Sequence, residues 1–453
     1  MSDDGEFRAA ADAAYEAMLD RLGEQSPRPR LAPTRRAVEL LGDPQRAYPI
    51  IHVTGTNGKT STSRIAESIL RAMGLRTGLF SSPHLQRFNE RIMIDGEPIS
   101  DEALARNWDD IQPYLSMVDD ELVAADEVRL TFFEVLTVLA FACFADAPVD
   151  VAVIEVGMGG EWDSTNVGDG QVAVFTPISL DHTKRLGSTV AEIARTKSGI
   201  VKPAASVVTA AQPPEAMAEL ERAAQLCEAP LSAQPTAFDV TASAVAVGGQ
   251  LISVRGLAAT YADLFLPLYG AHQAQNAAVA IAAVETFVGG GERPLTRDVL
   301  EEGLAGATSP GRLQLVGTEP TILVDAAHNP AGALTLAAAL PSFFDFDEFA
   351  FVVGILRDKD AKGIVDALAP LAARIHVTQS HSERAEPFDE LAEHIQDWTH
   401  ETVASFDDLG DAIEAARDWA VQSPRRAIVV TGSITLIGEA MTLGDDRGWK
   451  AGS

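Results

Sequence analysis

Apolar and polar positions follow two spacings along the chain. Short β-branched runs give way, again and again, to longer stretches with helical periodicity. Pro49–Val53 is such a run, and a glycine-containing loop separates it from a helical stretch over about Lys59–Met73. Arg76–Phe80 reads as the next strand, Thr131–Ala145 as a helix, and Val149–Val156 (VDVAVIEV) as an unbroken apolar run. Such continuity suits a parallel strand covered on both faces. Gln171–Pro177, a helix near Val190–Ser198 and a strand near Ser206–Ala210 keep the alternation going. The pattern predicts an α/β protein with a mostly parallel sheet.

Ala244–Val254 breaks the rhythm. Gly248-Gly249 lies between two alternating runs, which predicts a β-hairpin and a small antiparallel piece. A helix over about Gln273–Val288 ends in three glycines. Alternation then resumes with strands at Thr321–Val324, Phe349–Ile355, Arg374–Thr378 and Ala427–Thr431. We place a domain boundary near Pro310–Gly311, dividing residues 1–312, a first domain holding the mostly parallel sheet and the small antiparallel piece, from 313–453, a second domain of Rossmann-like pattern. The second domain lacks the glycine fingerprint of a dinucleotide site.

Composition narrows the partners. The 453 residues carry a formal net charge of −30. That surface argues against nucleic acid as a partner, but leaves room for small anions in local pockets. Two cysteines, Cys143 and Cys227, fit a reducing compartment and no disulfide framework. The acidic start MSDDGEFRAAADAAYEAMLDRL lacks the basic flank and apolar run of a signal peptide. The apolar run Phe132–Ala145 is too short to span a bilayer and carries Glu134. A cytoplasmic protein with no membrane partner is expected.

The first candidate chemistry is a phosphate loop. Strand IIHV runs into Gly55-Thr56-Asn57-Gly58-Lys59-Thr60-Ser61 and then a helix. Backbone N–H groups of such a turn, with the positive end of the helix, cradle phosphate oxygens. Lys59 supplies a charge for the β/γ-phosphates, and the hydroxyl of Thr60 or Ser61 is suited to Mg²⁺. The standard pattern has glycine where Val53 stands, so Gly55 replaces it two positions later. Glu155 closes the apolar strand, at the carboxyl end where α/β proteins bind ligands. It reads as a metal ligand or as a helix-capping carboxylate.

With these stand SSPHL from Ser81, TFFE from Thr131, EVGMGG and DSTN from Glu155, LDH from Leu180, TKSGIVK from Thr196, PGRL from Pro310, DAAHNP from Asp325, DKD from Asp358 and TGS from Thr431. In this number and order they make the chain resemble the Mur ligase superfamily and, within it, the folylpolyglutamate synthase family. The resemblance implies an ATP-driven ligase joining L-glutamate to a reduced folate, and to 7,8-dihydropteroate in bifunctional members. It also implies two Mg²⁺ ions and a monomer.

The resemblance further implies roles for residues. Thr60, Ser82, Glu155 and His182 would hold metal, and Lys197 would be a carboxylated lysine. Asn276 would meet adenine, Arg312 the nucleotide phosphates and Asp325 the ribose. Thr131, Phe132, Phe133 and Glu134 match a pterin-contacting segment, although a buried helix start explains them equally. Asp163 and Ser164 follow Glu161-Trp162, which replaces the family's usual Arg-Leu. Trp162 is suited to stacking on a pterin. Arg91, His328, Asn329 and Ser433 are candidates for the incoming glutamate. No Ser-His-Asp, HExxH or Cys-His pattern offers a covalent alternative. The competing functions are a Mur-type ligase acting on another carboxylate and a nucleotide-hydrolysing switch. The first carries a separate nucleotide-sugar domain, for which about 50 residues before the phosphate loop are too few.

Overall fold

The computed structural model describes residues 3–23 and 28–449. Among them, strands form three sheets. The first contains β1 (Ile50–Thr54), β2 (Thr77–Phe80), β3 (Ile92–Ile94), β4 (Glu97–Pro98), β5 (Val151–Glu155), β6 (Gly170–Phe175), β7 (Ser206–Thr209) and β8 (Leu231–Ala233). Their order is β4-β3-β2-β5-β1-β6-β7-β8, parallel from β2 to β8 and antiparallel at β3 and β4.

The continuous apolar character of β5 follows from burial on both faces. Val151 and Val153 join Ile51, Val53 and the helix Ala271–Gly289 on one side. Ala152 and Ile154 join Ile50 and the helix Phe132–Asp146 on the other. Each fully buried Val or Ile side chain contributes about 1.5–3 kcal/mol, which outweighs any gain from alternation with polar residues. Thr131 caps the second of these helices instead of starting it, and a 24-residue helix, Asp101–Ala124, lies outside the periodicity described above.

The predicted hairpin is part of a three-stranded antiparallel sheet of β9 (Asp239–Ala246), β10 (Gly249–Arg255) and β11 (Thr260–Leu266). Its inward face, with Ile252, Val254 and Leu264, packs into the same core as the helix Ala271–Gly289. The third sheet contains β12 (Gln314–Thr318), β13 (Thr321–Asp325), β14 (Glu348–Val353), β15 (Ala372–Val377), β16 (Thr402–Ser405) and β17 (Arg426–Thr431). The order β12-β13-β17-β14-β15-β16 is parallel except at β12. The loops after β1 and β6 meet those after β13 and β14 through hydrogen bonds described below, so the carboxyl ends of the two sheets face each other. No helix among the described residues is long and apolar enough to cross a membrane.

Candidate functional site

The phosphate loop is a turn that side chains would block. Gly55 (φ +149°) lies against the hydroxyl of Thr176, where a Cβ would collide. Gly58 (φ +89°) lies so close to Asn276 that a Cβ would come within 2.5 Å of its Oδ1. Thr56 and Asn57 donate their amides to the Pro177 carbonyl at 3.0 and 3.4 Å, which ties the loop to the strand end that leads to Asp181-His182. Thr56 Oγ1 adds bonds to Ser179 O (3.1 Å) and from Ser179 N (3.0 Å). The helix Lys59–Ala72 starts without a side-chain cap, so its first N–H groups are available to an anion.

Charges converge here. Lys59 folds back onto the carbonyls of Gly55 and Thr56, each at 3.3 Å. Burial lowers its pKa, against the opposing pull of Glu155 and Asp181. Thr60 Oγ1 lies 3.0 Å from both oxygens of Glu155, so the loop hydroxyl and the acidic strand tip are brought together. Burial pushes the Glu155 carboxyl up; Lys59, Thr60, Arg312 and the Ser82 backbone hold it down. Lys197, buried, donates to Gly55 O at 2.6 Å. Burial and the nearby Lys59 charge lower its pKa to about 7. A buried amine that is half neutral near pH 7 is chemically suited to take up CO₂.

The second lobe meets this cluster at Asp181. Lys359 Nζ donates to Asp181 Oδ1 at 2.9 Å, and Asn329 Nδ2 donates to Oδ2 at 3.2 Å and to Asn57 Oδ1 at 3.1 Å. His328 Nε2 stands 3.6 Å from the same carboxylate. Burial opposes ionisation of Asp181, but His328, His182 and Lys359 outweigh it and hold the carboxyl well below its usual range. His182 takes a left-handed conformation (φ 50°), and burial lowers its pKa to about 4. Asp181 and Lys359 lie in the LDH and DKD motifs, yet no role attached to either. Their signal was present in sequence, but their partnership spans 178 positions.

Several candidates have other employment. Glu134 and Thr131 form a reciprocal capping box, and Glu134 also takes a two-pronged ion pair from Arg30 at 2.9 and 3.0 Å. Asp163 accepts from the amides of Met158 (2.9 Å) and Thr165 (3.0 Å), so it shapes its own loop beside buried Ser164. Trp162 packs with Met158 against the Leu186 and Ile193 cluster, whereas Phe132 and Phe133 belong to a neighbouring, separate cluster on the same face of the sheet. Trp162 thus makes a core contact, while Glu161 beside it is exposed. Phe133 does abut Gly157, where a Cβ would touch its ring.

Arg91 is placed apart from the other three glutamate candidates. It is buried, bonds His84 Nδ1 at 2.8 Å, and lies over the Phe132 ring at 5.4 Å. Ser433 caps the helix Ile434–Arg447 through Leu436 N (3.3 Å), and Asn329 caps the helix Pro330–Phe343 through Gly332 N (2.8 Å). Asp325 accepts from the amides of Leu313 (2.8 Å) and Ala327 (2.9 Å), so it first fixes the turn carrying Arg312. The amide of Asn276 donates to Gln273 at 3.1 Å and its oxygen faces Gly58. Its position is therefore beside the phosphate loop.

Comparisons with known proteins agree with this architecture. Residues 53–284, just over half of the chain, match the Mur ligase middle domain, and residues 311–434 match the Mur ligase glutamate ligase domain. A dihydrofolate synthase/folylpolyglutamate synthase of Mycobacterium tuberculosis is 43% identical over 437 residues, covering 92% of this chain and 90% of that protein. A solved structure of Mycobacterium tuberculosis folylpolyglutamate synthase complexed with ADP superposes with a TM-score of 0.92 at 41% identity, covering 97% of this chain and 99% of that one. Escherichia coli FolC in complex with DHPP and ADP gives a TM-score of 0.84 at 28% identity, covering 97% and 98%. A phosphate loop set against an acidic strand tip, a second lobe docked onto both, and these matches over nearly the whole length lead to one conclusion: the chain belongs to the Mur ligase family of ATP-dependent amide-forming ligases, in its dihydrofolate synthase/folylpolyglutamate synthase branch.

Proposed function

We propose that the protein uses ATP to join L-glutamate to a folate acceptor, extending reduced folates and also converting 7,8-dihydropteroate to dihydrofolate. The observation that carries this reading is the meeting of the two lobes at Asp181, which sets Asn329, His328 and Lys359 against the phosphate loop. The relatives' names and their nucleotide complexes support the choice of substrates.

A carboxylate is a poor acyl donor because its leaving group would be oxide. Transfer of the γ-phosphoryl group to it gives an acyl phosphate, from which phosphate departs when the amine of glutamate attacks. Such transfer depends on alignment and charge neutralisation more than on a protein nucleophile. Lys59 supplies charge at the phosphates from the loop, and Arg312 supplies it from the lobe junction. Asn276 borders the loop on the nucleotide side, and Asp325 positions Arg312 besides facing the ribose. His328, Asn329 and Ser433, at strand ends of the second lobe, orient the amino acid, with Lys359 beside them. Holding two substrates in one cleft removes much of the entropic barrier.

The donor set fits Mg²⁺. Thr60 and Glu155 offer hard oxygen atoms already 3.0 Å apart, with Ser82 alongside. The described residues contain no group of three or more acidic, histidine or cysteine side chains placed to enclose a metal. Thr60, Glu155 and Ser82 would hold one ion, and His182 with a carboxylated Lys197 a second; the ions would supply neutralising charge to the phosphates.

The test is ATP-dependent incorporation of labelled glutamate, with dihydropteroate and a reduced folate offered separately. Amide product with either acceptor is expected. ADP formed at the same rate without acceptor or glutamate would instead identify a hydrolytic switch.

A further inference from the structure

Arg64 lies one turn after Thr60 on the helix that leaves the phosphate loop. Its guanidinium is an unmatched cation. Among the described residues it forms no ion pair; its single hydrogen bond, from Nη1 to Thr308 Oγ1, is long at 3.5 Å. Its Nε is buried and has no partner. Leaving a buried donor of a charged group unsatisfied is costly, and native structures keep few such groups without a reason.

The carboxylates around it are all engaged elsewhere. Glu90 accepts from the amides of Leu85, Gln86 and Arg87 at 2.7–3.0 Å. Glu67 accepts from Arg71 at 3.0 Å and from Thr77. Glu155 holds Thr60. Burial lowers the pKa of Arg64, with Glu90, Glu155 and Glu67 opposing the shift.

The location narrows the ligand. Helical side chains lean toward the N-terminus of their helix, so Arg64 leans toward the first turn and the cleft. On one side stands the lobe linker, held by Thr308 and by the buried pair Ser61 Oγ to Ser309 Oγ at 2.8 Å. On another stands Glu90, whose charge acts on Arg64 and whose carboxylate organises the loop 85–90. That loop contacts the second lobe at Gly438, where a Cβ would collide with the Leu85 carbonyl. The guanidinium thus lies among the charges of Glu155, at the acidic strand tip, and of Glu90.

We infer that Arg64 binds the carboxylate of a folylglutamate acceptor that is not being extended. The inference rests on the ligase reading above. A folate ending in glutamate carries two carboxylates at its end: one is activated by phosphoryl transfer and one must be held. Dihydropteroate carries only the carboxylate that reacts. Arg64 is thus a specificity determinant for chain extension over the first glutamylation.

The experiment compares Arg64→Met and Arg64→Lys with the unaltered enzyme, using dihydropteroate and a reduced folylmonoglutamate as acceptors. Thermal melting and ADP binding verify that each variant is folded. Arg64→Met should raise the KM for folylglutamate about 10- to 100-fold, the range expected for a lost charge-assisted bond, with a far smaller change for dihydropteroate and for ATP. Arg64→Lys should recover part of the loss. Equal losses on both acceptors with a raised KM for ATP would assign the cation to nucleotide phosphates and overturn the inference, as would unchanged kinetics. If the unaltered enzyme extends only dihydropteroate, the inference also falls. If it extends only folylglutamate, a raised ATP KM with an unchanged acceptor KM overturns it, and the reverse supports it. Absence of amide product with either acceptor would remove the ligase reading itself.

Discussion

The two facing strand ends solve different chemical problems. At the ends of β1, β5 and β6, ionisable groups are crowded and buried. Burial pushes the pKa of Lys59 and Lys197 down and that of Glu155 up. At the ends of β13, β14 and β17, the polar side chains are largely satisfied. Asn329 and Ser433 cap helices, and Asp325 holds two backbone amides. Crowded, perturbed charge suits activation of a phosphoryl group, because it is relieved when a polyanion enters. A satisfied, rigid surface suits the placement of a small amino acid, because little ordering remains to be done on binding. The bond between Asp181 and Lys359 joins one surface to the other.

That contrast can be broken at its strongest point first. Lys59→Ala should lower kcat by about 10³-fold or more while the thermal melt stays near that of the unaltered protein, since the lost group acts on transferring charge. Full turnover in that variant would end the assignment of activation to the first lobe.

Lys197→Met should cost about 10²-fold in kcat, comparable to losing one stabilising group at a reacting centre. Added bicarbonate should stimulate the unaltered enzyme and leave the variant unaffected. The same lysine gives a stability signature when its amine is free. Its folded pKa of about 7 lies below the ordinary 10.5, so the unfolded chain binds more protons between those values. Its contribution to stability therefore rises with pH across that window, and its penalty is complete below pH 7. Melting temperature against pH should rise less steeply for the variant.

Asp181→Asn tests the junction. It leaves Lys359, nearly buried at 7% side-chain exposure, without its carboxylate. The KM for glutamate should rise about 10-fold, and small-angle scattering should show the lobes farther apart. An unchanged scattering profile with unchanged KM would mean that the contact does not set closure.

The smallest effect is expected where a candidate proved to shape its own loop. Asp163→Ala removes the acceptor for Met158 and Thr165 and should lower stability by about 1–2 kcal/mol in denaturant titration. A selective loss of acceptor binding with unchanged stability would return Asp163 to the substrate.

Local chemistry was legible before any coordinates. The run IIHV, the glycine turn and Lys59-Thr60 give the phosphate loop, because strand, left-handed glycine and helix start are neighbours in sequence. The central strands β5, β6, β13 and β17 were legible from their middles: burial on both faces leaves the runs VAVI, VAVF, ILV and AIVV without a polar residue. Edge strands were not. β4 is Glu97-Pro98, β8 is Leu-Ser-Ala and β16 is Thr-Val-Ala-Ser, and such short mixed runs carry no period. Thr131, Glu134 and Trp162 illustrate the same limit at the site. Residue type fits a ligand or a cap equally well until the neighbour across the fold is known.

Neighbours a few positions apart already fix the central strands, the phosphate turn with its helix, and the charged side chains at the strand tips. Folding in three dimensions is what brings Asp181 to Lys359 across 178 positions, Asn57 to Asn329 across 272, and Ser61 to Ser309 across 248. Those pairings arise from how two separately built sheets dock, and docking is fixed by the shape of whole surfaces, which no local run of residues encodes.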